Sequence, residues 1–267
     1  MTSEQASAVL VERRGPVLIA TINRPEARNA VNSAVWSGLG GALAEAEADD
    51  SVRAFVVTGA GDQAFCAGAD LKALARGESL APRDREQVAW GFAGYVRHPI
   101  SKPTIAAVNG TAFGGGTELV LASDLAVSAD TATFGLPEVR RGVIAGAGGA
   151  FRLAQQIPRK LAMELLLTGE AISADRALEL GLINRVVAAS RVLEVAVELA
   201  QRISANAPLA VQASKRIALR LTDGEAPDEA ERWSQTMAEG KAIQRSADAR
   251  EGARAFADKR DPVWSGS

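Results

Sequence analysis

Short apolar runs alternate with helical patterns up to about residue 190 and then stop, and this limits the fold of the chain more than any other feature. Val9 to Arg13 and Val17 to Asn23 read as strands joined at Arg14-Gly15-Pro16, since apolar and β-branched residues are bounded by turn formers. Val31, Val35, Leu39, Leu43 and Ala46 recur at helical spacing, with Asn29 or Asn32 available as the cap. Buried strands are expected at Val52 to Thr58, Thr104 to Val108, Leu125 to Ser128 and Leu182 to Val187, and a helix at Glu86 to Arg97. The spacing predicts mostly helix from Gly148 to Leu180, stopped by Gly181, and helix throughout from Val192 to Phe256, with Pro208 in a first turn. Alternation of this kind points to an α/β core over residues 1–200, followed by a helical segment over 201–267. In that segment 21 of 67 residues are charged, which suits amphipathic helices that cover or join something.

Charge and composition exclude several function classes. Lys and Arg total 30 against 32 Asp and Glu, so no basic excess would draw a nucleic acid. One cysteine, Cys66, allows neither an internal disulfide nor a Cys-rich zinc site, and one histidine, His98, excludes a multi-His metal site. Cys66 reads as a packed thiol and His98 as a structural or surface residue. The first residues, MTSEQASAVLVERR, lack the pattern of a secretory signal, and no run of about 18 apolar residues would span a membrane. A cytoplasmic location is therefore expected.

Glycine marks the region where chemistry is expected, since 15 of the 25 glycines lie between Gly59 and Gly149. Such a concentration suggests a site built largely from main chain. Four segments stand out. The turn Phe65-Cys66-Ala67-Gly68-Ala69-Asp70-Leu71-Lys72 could aim backbone N–H groups at an oxygen, or be a tight packed turn. Gly114-Gly115-Gly116-Thr117-Glu118 opens a helix whose free N–H groups and dipole favour an anion, although a flexible loop with a first-turn acid has the same look. In Phe134-Gly135-Leu136-Pro137-Glu138 the residue before proline avoids helix, which would fix Glu138 on a loop as a general acid or base or leave it solvated. Gly142 to Gly149 is a further backbone-rich turn into a helix, either a ligand loop or a close-packed crossover.

Gly59-Ala60-Gly61-Asp62-Gln63-Ala64 also fits a dinucleotide fingerprint, with Glu78 near the expected acid position. Arg76 to Asp84 carries Gly77 and Pro82 and cannot be the strand that this fingerprint needs.

Taken in order, these segments resemble the crotonase (enoyl-CoA hydratase/isomerase) family over nearly the whole chain. Ile19 to Ala30 is similar to its N-terminal signature, and Ile105 to Gly110, Gly114-Gly115-Gly116 and Ser123-Asp124-Leu125 to its central one. Leu167-Thr168-Gly169 and Gly181 to Val187 match later landmarks. The resemblance implies a spiral of ββα units with C-terminal helices that assemble a homotrimer or a dimer of trimers. It also implies an acyl-CoA thioester substrate, with the CoA part of the substrate and no separate cofactor or metal. The backbone N–H groups of Ala69 and Gly115 fall on the family's oxyanion hole. Glu118 and Glu138 fall on its two acid–base positions, with Glu118 activating water and Glu138 supplying a proton. Ala27, Asn29, Ala30, Ala67, Asp70, Leu71, Lys72, Gly114, Gly146, Phe256 and Lys259 fall on substrate-contacting positions. Two glutamates favour hydration of a trans-2-enoyl-CoA to a 3-hydroxyacyl-CoA. The alternatives are another reaction of the fold, such as carnitinyl-CoA dehydration or Δ3–Δ2-enoyl-CoA isomerisation, a nicotinamide oxidoreductase, or a non-catalytic acyl-CoA binder.

Overall fold

The structure is a computed structural model and describes residues 7–222 and 226–267. Residues 1–6 of the segment read for a signal and 223–225 of the helical C-terminal reach lie outside the described residues. Strands β1 (Val9–Arg14) and β2 (Val17–Ile22) form an antiparallel hairpin, and Asn32 caps α1 (Ser33–Ala48) by accepting the Val35 N–H at 3.0 Å. Next come β3 (Ala54–Gly59), β4 (Ala64–Cys66), α2 (Leu71–Ala75) and α3 (Arg85–Ala89). The following unit is β5 (Thr104–Val108), β6 (Thr111–Phe113) and α4 (Gly115–Ala122), and then β7 (Leu125–Ala129) and β8 (Thr133–Gly135). After them lie α5 (Gly149–Gln156), α6 (Arg159–Thr168), β9 (Ala171–Ser173), α7 (Ala174–Glu179) and β10 (Arg185–Val187). Four helices close the chain: α8 (Val192–Ser204), α9 (Pro208–Leu219), α10 (Pro227–Ile243) and α11 (Ala247–Asp258).

Two sheets organise these elements. The larger runs β1-β2-β3-β5-β7-β10, parallel except for the β1 hairpin, and the smaller runs β4-β6-β8-β9, antiparallel only at β9. Each of the pairs β3/β4, β5/β6 and β7/β8 sends its first strand to the large sheet and its second to the small one. The chain therefore advances as a spiral of ββα turns. Residues of β3 and β5 are buried along their whole length, as parallel strands covered on both faces require. Their Phe55 and Ile105, with Ile19 of β2 and Leu39 of α1, are part of the core between α1, α8 and the large sheet.

Several expectations change. The helix expected over Glu86 to Arg97 is cut to α3, because Gly91 (φ 73°) and Gly94 (φ 65°) take left-handed backbone, and a 3-10 turn at Phe92–Gly94 follows instead. Gly94 packs on the α1 backbone at Gly40, where a side chain would clash. The stretch after Gly148 is interrupted by β9, and the C-terminal reach by breaks before Pro208, before Pro227 and at Ser246. Asn29 is not the α1 cap. It sits at φ 55°, fully buried, and its amide stitches the loop by accepting the Arg24 N–H and donating to the Ala60 and Ala64 carbonyls. Asn29→Ala would leave three inward-facing backbone groups unpaired and keep a left-handed backbone without the side chain that supports it. We expect a loss of ~3 kcal/mol, read as a melting temperature lower by roughly 5–10 °C; an unchanged value would refute this role.

Candidate active site

The turns that follow β4 and β6 converge on one place. After β4 the chain turns through Gly68, whose φ of 85° suits glycine, and whose missing side chain would come within 3.0 Å of the Gly115 nitrogen. Val31 N–H donates to the Gly68 carbonyl and Asp70 N–H to the Val31 carbonyl, so the turn is fixed from both sides. The Ala69 N–H between these bonds and the Gly115 N–H at the start of α4 have no acceptor among the described residues. Two unpaired donors on neighbouring turns, one of them at a helix N-terminus, are an arrangement able to receive an anionic oxygen.

Two buried carboxyl groups belong to the same glycine-rich region. Glu118, in the first turn of α4, is 3% exposed. Its Oε1 accepts N–H bonds from Ala147 at 2.7 Å and from Gly149 at 2.8 Å. Leu136-Pro137 turns the chain after β8 into a 3-10 turn, Pro137–Arg141, and this places Glu138 Oε1 2.9 Å from where a side chain on Gly114 would begin. Glu138 Oε2 is buried with no hydrogen-bond partner among the described residues.

Burial pushes the Glu118 carboxyl above the usual carboxylate range, and the nearby Glu138 charge adds to this, while the two N–H bonds and the Arg152 guanidinium oppose it. Burial raises Glu138 as well. Two carboxyls buried near one another disfavour joint ionisation. Two N–H bonds favour the Glu118 anion, whereas Glu138 Oε2 has no donor among the described residues.

The remaining sequence candidates fall into three groups. Asn29, Ala30 and Asp70 build the turn. Asp70 Oδ1 caps α2 through the Ala73 N–H at 3.0 Å, its Oδ2 pairs with Arg24 at 2.9 Å, and Arg24 also donates to the Ala30 carbonyl. Burial alone would raise the Asp70 carboxyl, but Ala73 and Arg24 outweigh it and hold it below the ordinary value. Ala67, Leu71 and Lys72 are exposed beside the pocket, with Ala27 partly so, and Gly114 is the N-cap of α4. Gly146 is exposed, and it is its neighbour Ala147 that reaches Glu118. Phe256 and Lys259 lie at the end of α11, which packs on the Glu138 loop, and the Arg141 guanidinium sits 4.3 Å from the Phe256 ring centroid.

Sequence reasoning missed Ala147 and Gly149 as the donors to Glu118. The only signal was the glycine run leading into α5. Phe92 walls the donor turn, since its ring would meet a side chain on Gly115.

The single cysteine and histidine stand apart from this chemistry. Burial pushes the Cys66 thiol up to about 12, and Cys66 is fully buried, as an inert packed thiol would be. Burial lowers His98 to about 4, and its ring lies 4.4 Å from that of Trp90. The dinucleotide reading also falls, because β3 and its glycines lead into strand β4 where that motif requires a helix.

A family model described as enoyl-CoA hydratase/isomerase matches residues 12–267. The chain belongs to the enoyl-CoA hydratase/isomerase family. Within it, the chain is 43% identical over 257 residues to a carnitinyl-CoA dehydratase of Salmonella typhimurium, covering 95% of this chain and 97% of the relative. Its fold is similar to a carnitinyl-CoA hydratase from Mycobacterium avium, with TM-score 0.96 and 57% identity over 98% of this chain and 100% of that one. An enoyl-CoA hydratase from Mycobacterium tuberculosis has TM-score 0.75 and 47% identity over the same shares. The crotonase fold read from the sequence is therefore the fold of this enoyl-CoA hydratase/isomerase family member. No helix among the described residues is long and apolar enough to cross a membrane.

Proposed function

We propose that this family member is a hydro-lyase that interconverts a 3-hydroxyacyl-CoA and its trans-2-enoyl-CoA, with a carnitinyl-type thioester as substrate. The observation that carries the reaction is the buried pair Glu118 and Glu138, the first held by the Ala147 and Gly149 N–H groups and the second set against Gly114, next to the unpaired Gly115 N–H. Relatives named carnitinyl-CoA dehydratase and hydratase support the substrate, in preference to simple enoyl-CoA hydration as the leading reading. An uncharged trans-2-enoyl-CoA is the second reading, favoured by the likeness to the Mycobacterium tuberculosis enoyl-CoA hydratase.

In the hydration direction the Glu118 carboxylate takes a proton from water as its oxygen bonds to C3. The electron pair of the double bond moves onto the thioester oxygen, where the Ala69 and Gly115 N–H groups stabilise the enolate. The enolate returns its pair to C2, which takes the proton held by Glu138. Dehydration reverses each step, with Glu138 removing the C2 proton and Glu118 protonating the departing hydroxyl. The reaction moves water and protons only, so it requires no redox group. Aimed donors act mainly on the charge that develops in the transition state.

Incubation of the purified protein with carnitinyl-CoA, 3-hydroxybutanoyl-CoA and a trans-3-enoyl-CoA tests this reading by mass and by absorbance of the conjugated thioester. Loss of water fastest from carnitinyl-CoA is the expected result. Dehydration of 3-hydroxybutanoyl-CoA alone moves the assignment to the second reading, and a double-bond shift without exchange of water overturns both. The assembly is proposed to be a homotrimer or a pair of trimers built by the segment 201–267, whose Leu209 and Ile217 on α9 are 77% and 78% exposed. Sedimentation equilibrium of the same preparation reads this directly, and a monomer mass refutes it.

A further inference from the structure

The helix α10 is polar and exposed along almost its whole length, and Trp233 is its one buried residue. The indole packs edge-to-face on Phe151 of α5, with ring centroids 5.1 Å apart. Its N–H donates to Glu229 Oε2 at 3.2 Å, and Glu229 grips Arg152 of α5 through two bonds of 3.0 Å and 2.7 Å. This ion pair is largely shielded, with the two side chains 12% and 18% exposed. Arg97 lies over the same ring at 5.1 Å from its centroid, and Arg152 at 5.4 Å. The indole has a second neighbour on the core side. A side chain on Gly148 would begin 3.0 Å from its Cη2 atom and 3.4 Å from Arg152 Nη1. Gly148 therefore lies against the indole and the guanidinium, and the N–H groups on either side of it, Ala147 and Gly149, both donate to Glu118 Oε1.

We propose that Trp233, held by the Glu229–Arg152 pair, is a positioning residue for Glu118, pressing the Ala147–Gly149 turn from behind so that both N–H groups stay aimed at the carboxylate. The C-terminal helical segment then has a part in the reaction as well as in covering the core. The assignment rests on the reading of Glu118 as the group that activates water. A carboxylate with two fixed donors reacts from one geometry, and displacement by about 1 Å in such a site can cost about a hundredfold in rate. The charged groups that act on Glu118 are Glu138 from its loop and Arg152 from α5. Loosening the turn removes donors that favour the Glu118 anion, so its ionisation moves to higher pH.

The test compares Trp233→Ala, Trp233→Phe and Trp233→Leu with the parent protein. We expect Trp233→Ala to lower kcat about 10- to 100-fold with little change in KM, to shift the acid limb of the rate profile upward, and to be largely rescued by Trp233→Phe. The substrate-free readout is an NMR titration of carboxyl-labelled glutamate, with the Glu118 signal assigned from Glu118→Gln. An upward shift of that titration in Trp233→Ala supports the brace even if the protein turns over neither thioester, in which case only the proposed reaction fails. An unchanged titration with unchanged kcat overturns it. If Trp233→Ala does not fold, Trp233→Leu, which keeps the position apolar but cannot cover Gly148 as the indole does, must show the smaller shift in the same direction, and its absence overturns the proposal.

Discussion

Glu118→Gln and Glu138→Gln are each expected to lower turnover by about a thousandfold while making the folded protein more heat-stable at and above neutral pH. The activity loss follows from the two proton movements of hydration, since an amide can neither take the proton from water nor return one to C2. The gain in stability comes from the same burial. Both carboxyls are raised in the folded state, whereas the unfolded chain ionises near the ordinary value of 4.5. Between that value and the raised folded ones the unfolded chain binds fewer protons than the native protein, so stability falls as pH rises. Below pH 4.5 both states are protonated and the penalty is absent. The Gln variants carry no such penalty, and the Glu118 amide oxygen can still accept from Ala147 and Gly149. The gain is on the order of 1 kcal/mol, or about 2–4 °C in melting temperature. Thermal melts across pH 4 to 9, run beside initial rates, check both halves. Near-normal turnover in either variant would remove that residue from the reaction. A melting temperature that fell with pH as steeply as the parent's would show that the buried carboxyls do not set the dependence.

Gly116→Ala is the second large effect, and it acts through the backbone. A side chain there would begin 2.0 Å from the Cys66 carbonyl oxygen and 2.8 Å from its carbon. Neither atom can swing away, because Cys66 is in β4, paired to β6, and Gly116 is in the first turn of α4. The helix must retreat from the strand, at a cost of about 3 kcal/mol. Its N-terminal N–H at Gly115 then moves away from the turn that carries Ala69. Loss of one such donor typically costs about 100- to 1,000-fold in rate. Low soluble yield, a lowered melting temperature and loss of that order in any folded fraction are expected together. Gly41→Ala is the control, since nothing lies within 4 Å of that position on the exposed side of α1, and it should be neutral or slightly stabilising. If Gly116→Ala behaved like Gly41→Ala, the close approach of α4 to β4 would be wrong.

Much of this fold was legible in local pattern. Strands β2, β3 and β5 are apolar runs long enough to show themselves, and the glycines beside them mark the turns. Proline after Leu136 already placed Glu138 on a bent loop. The small sheet was not legible, because β4, β6, β8 and β9 have three residues each, too few for an alternation to appear. The expected helix over 86–97 has the right residue types, and it fails because Gly94 is needed against Gly40 of α1, a contact between parts of the chain far apart in sequence.

The same division holds at the site. The sequence by itself determined which acids and which glycine turns the protein has, and a family likeness implied that they act together. Only the tertiary structure decided which N–H groups hold Glu118, what lies behind them, and that Trp233 reaches back from α10 to Gly148. The reason is physical. A carboxyl group is written in the residue name, but a backbone N–H is the same at every position except proline. Its function is set by where the fold aims it and by which neighbours keep it there.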